Sequence, residues 1–83
     1  MPEMTQAKAL MIWLRLCELG YEAMIERTWK YRKQERGYFY RVRVPLRPLG
    51  REQVAGLMEL ARVHEVKVAF ATHSPAEPTL EMI

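Results

Sequence analysis

An α+β sandwich is the fold class the sequence predicts, and three observations carry it. Apolar residues recur at helical spacing in two separate stretches, at Leu10, Trp13, Leu14 and Cys17 and again at Val54, Leu57, Met58 and Ala61. Between and after these stretches the pattern switches to period two, in segments rich in Val, Tyr, Trp and Phe. Pro45, Pro48, Gly20, Gly37 and Gly50 fall at the joints between the periodic stretches. The predicted order is helix-strand-strand-helix-strand-strand, a two-layer sandwich with both helices on one face of an antiparallel sheet. Residues 1–83 make a single domain, because a chain of 83 residues holds one core and a thin one.

The first helix is expected from about Thr5 to Leu19. Thr5 suits the N-cap and Gly20 suits the position just past the end, with Tyr21 packing back on the last turn. Leu10, Trp13, Leu14 and Cys17 form its expected core stripe, while Met11, Ile12, Leu16 and Leu19 widen the apolar arc. So apolar a helix leaves surface that a thin core does not cover. Self-association follows as an expectation: a homo-oligomer, most simply a dimer.

From Tyr21 to Lys33, Ala23, Ile25, Trp29 and Tyr31 alternate with Glu22, Glu26, Thr28, Lys30 and Arg32. A turn through Gln34 to Gly37 leads to a return strand, Tyr38 to Leu46, with Tyr38, Tyr40, Val42, Val44 and Leu46 on the core face. The second helix runs from Gly50 or Arg51 to His64. Val66 to Thr72 is a third strand with Val66, Val68 and Phe70 inward and Lys67, Ala69 and Ala71 outward, His73 to Pro78 a turn, and Thr79 to Ile83 a short fourth strand with Leu80 and Met82 inward.

Charge is distributed unevenly. Residues 27–51 hold nine basic groups and one acidic, whereas residues 1–26 carry a net −2 and residues 52–83 a net −3. With a four-residue turn, Trp29 lies opposite Val42, Lys30 opposite Arg41 and Arg32 opposite Phe39. The exposed face then gathers Lys30, Arg32, Arg41 and Arg43 around Phe39, with Lys33, Arg36 and Arg47 at the periphery. Like charges placed directly opposite each other cost stability, which a polyanion across the face relieves. The same pattern also fits a solvated sheet face protected from edge pairing, one whose cations pair with the acidic flanks, for instance Glu22, Glu26 or a neighbouring subunit, or one that meets an acidic protein.

Several chemistries are excluded. The chain has no Asp and no Asn, one Ser and one Cys, so aspartate triads, aspartyl dyads, EF-hand loops, disulfides and cysteine-rich zinc sites have no residues to build them. His64, His73 and Cys17 lack metal-ligand spacing, and no cofactor is expected. No glycine-rich phosphate loop occurs; Gly56, inside the second helix, invites close approach of another helix or chain. The element order resembles that of small nucleic-acid-binding α+β folds. The Gly-x-x-Gly loop of a type II KH-like domain is absent, and Glu18 to Glu22 supply no counterpart to the acidic metal ligand of a homing-endonuclease half-domain, so no family is assigned.

The longest apolar run, Ala9 to Leu14, spans six residues, far below the ~20 that cross a bilayer. Glu3 stands where a secretory signal carries basic residues, so a cytoplasmic protein is expected. Absence of Asn with many Arg and Glu fits a protein working at high temperature, and GC-rich coding gives the same bias. The expected function is a non-catalytic nucleic-acid-binding module using the basic hairpin. The alternatives are an interaction or regulatory subunit that self-associates through the first helix, and a small ribonuclease with His73 as general base.

Overall fold

The computed structural model describes residues 4–32, 35–73 and 77–83, with side chains outside 28–37 and 73. Six elements follow in the expected order: α1 (Gln6–Glu18), β1 (Met24–Arg32), β2 (Glu35–Pro45), α2 (Arg51–Val63), β3 (Val68–His73) and β4 (Glu77–Met82). The strands form one sheet, ordered β1-β2-β4-β3, in which every neighbouring pair is antiparallel. The fold is α+β. β2 and β3 run the same way with β4 between them, and α2 bridges them as the crossover of a split β-α-β unit. The chain's last strand is therefore an interior strand of the sheet. No helix among the described residues is long and apolar enough to cross a membrane.

Local chemistry explains the helix ends. Thr5 caps α1 by accepting a hydrogen bond from the Lys8 backbone N–H at 3.2 Å. Gly20 ends it with a φ of +89°, and the paired bonds from Gly20 N–H to the Cys17 carbonyl and from Tyr21 N–H to the Leu16 carbonyl make a Schellman motif. α2 closes with the same motif, from Glu65 to Arg62 and from Val66 to Ala61. There the left-handed position, φ 55°, falls to Glu65 rather than a glycine.

The core joins Ala9, Ile12 and Leu16 of α1 with Leu57 and Ala61 of α2, and with Val42, Val44, Leu80, Met82 and Met4. On β2 and β4 this matches the period-two expectation at Val42, Val44, Leu80 and Met82, but Phe70, expected inward on the edge strand β3, is 62% exposed, and Tyr38, expected on the core face, is 47% exposed beyond the stretch of β2 that β4 pairs. On α1 it does not: Leu10 and Leu14 are exposed, at 42% and 53%, and so is Cys17. Trp13 accounts for the rotation. Its indole N–H donates to the Ala23 carbonyl at 2.9 Å, tying it to the segment entering β1, while small Ala9 lets the helix backbone approach closely. The expected stripe of α2 holds at Leu57 and Ala61, with Val54 half-buried and Met58 exposed.

The hairpin register also differs from expectation. Strand pairing continues to Arg32 opposite Glu35, placing Trp29 opposite Tyr38 and Glu26 opposite Arg41. The turn assigned to Gln34–Gly37 is too long: Gly37 lies within β2, across from Lys30. The shift is four positions in the partner strand, an even number, so each residue keeps its face and changes its neighbour.

Gly56 has an intrachain role. The Tyr21 hydroxyl donates to the Gln53 carbonyl at 2.7 Å and occupies the space where a Cβ on residue 56 would sit, 2.8 Å away. Glycine-to-alanine changes inside helices usually stabilise by about 1 kcal/mol. Gly56→Ala is expected to show no such gain in thermal unfolding, and to recover it when compared within a Tyr21→Phe background. An equal gain in both backgrounds would show that the contact does not constrain the helix.

Candidate nucleic-acid interface

The hairpin outruns the rest of the sheet. Among the described residues, β4 pairs with β2 only along Val42–Pro45, and one further bond runs from the Leu46 N–H to the Pro78 carbonyl. Outward from Arg41, the only ladder partner of β2 among the described residues is β1, from Glu26 to Arg32. The seven residue pairs of this two-stranded arm span roughly 20 Å at about 3.3 Å per residue. The molecule measures 42 × 30 × 18 Å along its principal axes. Residues 27–41 contain six basic side chains and one acidic, Glu35.

At the arm's base, charge is satisfied within the fold. Arg41 Nη1 donates to Glu81 Oε2 at 3.2 Å, and Arg43 donates through Nε and Nη2 to Glu81 Oε1, each at 3.3 Å. Arg43 Nη2 also meets Glu26 Oε2 at 2.5 Å. The Glu81 side chain is 7% exposed, Arg43 20% and Arg41 34%. Register explains the arrangement: Glu81 stands directly opposite Arg43 and Glu26 directly opposite Arg41, so opposite charges alternate across β1, β2 and β4. The expected pairing of Lys30 with Arg41 is replaced by this network. Position 30 lies four residues beyond Glu26, roughly 13 Å along the strand.

Of the expected cationic cluster, Arg41 and Arg43 are thus engaged by carboxylates of the fold. Phe39 is half-buried, two positions outward from Arg41 and across from Thr28. Arg47 is exposed in the loop after β2, at the far end of that strand from the arm's tip. Lys30, Arg32 and Arg36 occupy arm positions, but their side chains lie outside the described residues, as does Lys33 entirely. The His73 side chain, on which the ribonuclease reading rests, also lies outside them. Among the described residues, no group of three or more His, Cys or Glu side chains is placed to hold a metal. Glu59 and Arg62 form an exposed pair on α2, where the hydrogen bond from Arg62 holds the carboxyl below its usual range and raises the guanidinium. That acid's contribution to stability is present above the ordinary carboxylate range and is lost as pH falls through its lowered value.

One contact was missed from the sequence. The Arg27 guanidinium sits 4.1 Å from the centroid of the Tyr38 ring, and Tyr38 is 47% exposed. The available signal was the break in alternation at Arg27, a charged residue at a position where period two calls for an apolar one.

Removing a partner from a nearly buried ion network leaves charge without compensation. Glu81→Ala is expected to lower unfolding free energy in urea by about 2 kcal/mol, and Glu59→Ala to lower it far less. Equal losses would show that the Glu81 network adds nothing beyond a surface pair. The chain matches no protein-family model, no curated protein and no solved structure.

Proposed function

We propose that this protein is a non-catalytic nucleic-acid-binding module whose two-stranded arm contacts the phosphate backbone. The observation that supports this most is the excess of β2 over β4, which leaves a net-basic ribbon without packing partners on its β4 side among the described residues. A two-stranded hairpin is marginally stable by itself, and cationic side chains along it repel one another. A polyanion offsets both costs and releases its counterions. The contacts fall to Arg27, Lys30, Arg32, Lys33 and Arg36, with Arg41 at the base and Arg47 peripheral. Arg43 serves mainly to hold the strands together. Contacts of this kind position a backbone and read little sequence.

Labelled oligonucleotides titrated across a salt series test the reading. Binding at low salt should weaken steeply as salt rises, and Arg32→Glu with Arg36→Glu should lower affinity at least tenfold and flatten the salt slope. Absence of binding at low salt, or full affinity in the double variant, overturns it.

A second reading, self-association, is favoured by the outer face of α1. Leu10, Met11 and Leu14 are 42–53% exposed beside exposed Cys17, an apolar stripe at helical spacing. A second copy of the chain would cover it, in the manner of an interaction subunit. Light scattering should give twice the chain mass, reverting to one chain in Leu14→Glu. A wild-type monomer at high concentration removes this reading without touching the first.

A further inference from the structure

The two faces of the arm differ in what they offer a ligand. On one, Glu26, Arg41, Arg43 and Glu81 compensate one another, and two of the expected cationic anchors are engaged inside the fold. On the other, the register places β1 positions 25, 27 and 29 across from β2 positions 42, 40 and 38. Near the sheet this face is covered: Val42 is fully buried, and Ile25 and Tyr40 pack partly against the core. One step outward, Tyr38, two residues from half-buried Tyr40, is 47% exposed. Arg27 lies against its ring, and the position across from it is Trp29.

Tyr38 thus keeps about half its surface exposed on a net-basic arm, where a ligand can use it. Stacking a nucleic-acid base on such a ring is worth roughly 1–3 kcal/mol and tolerates any sequence. An arginine on the same ring orients it and adds a positive charge where the phosphate of a stacked nucleotide would lie. A duplex keeps its bases stacked on each other and presents mainly phosphates, so it draws on the arm's charge but not on its aromatic surface.

Building on the nucleic-acid reading above, we infer that the ligand is single-stranded nucleic acid, with a base stacked on the arm face formed by the Arg27 guanidinium and the Tyr38 ring. The experiment compares three probes at one salt concentration: a fluorescein-labelled 15-mer of thymidine, an abasic strand with the same number of phosphates, and a 15-base-pair duplex. The thymidine strand is expected to bind roughly tenfold or more tighter than the abasic strand. Tyr38→Ala should remove most of that advantage and leave abasic binding unchanged, while Tyr38→Phe should keep it. Equal binding of the thymidine and abasic strands overturns the inference even if no variant folds, and leaves the charge-based reading standing. Duplex binding tighter than single-strand binding also overturns it. Failure of all three probes to bind overturns both.

Discussion

The carboxylate of Glu81 is the constraint on which the rest of the sheet depends. It sits almost fully buried on an interior strand, and a charge there persists only if opposite charges meet it. Arg41 and Arg43 do so from β2, and Arg43 reaches on to Glu26 of β1. Three strands are thereby held in one alignment. Hydrophobic alternation alone cannot do this, because any slip by an even number of residues keeps every apolar side chain on its face. The ion network distinguishes between alignments that the core treats as equal.

This explains which parts of the structure were legible in the sequence. Element order and the core-facing residues of β2 and β4 followed from periodicity, and the start and end of α1 from Thr5 and Gly20. The buried face of α1 did not, since the helix is apolar on more than one side and Trp13 is drawn aside by the Ala23 carbonyl. The hairpin register did not either. Gly37 invited a turn, yet it lies in the interior of β2, and the choice depended on Glu81, forty residues from Arg41 along the chain. Long-range charge pairing of this kind leaves no local pattern to read.

The register carries the functional consequence. An alignment four positions different would gather the cations on one open face around Phe39. In the alignment present, Arg41 and Arg43 are committed to the fold, while Arg27 and Tyr38 come together on the opposite side of the hairpin, past the edge of the core. A small domain thus divides its basic residues between holding strands in place and equipping an arm. The apolar outer face of α1 is a separate surface on a different element from the arm.

Cross-strand backbone nuclear Overhauser contacts in the hairpin test the alignment most directly. Contacts linking Trp29 with Tyr38 and Ile25 with Val42 are expected, continuing across β2 to pair Arg43 with Glu81. Contacts linking Trp29 with Val42 and Tyr31 with Tyr40 would contradict this alignment.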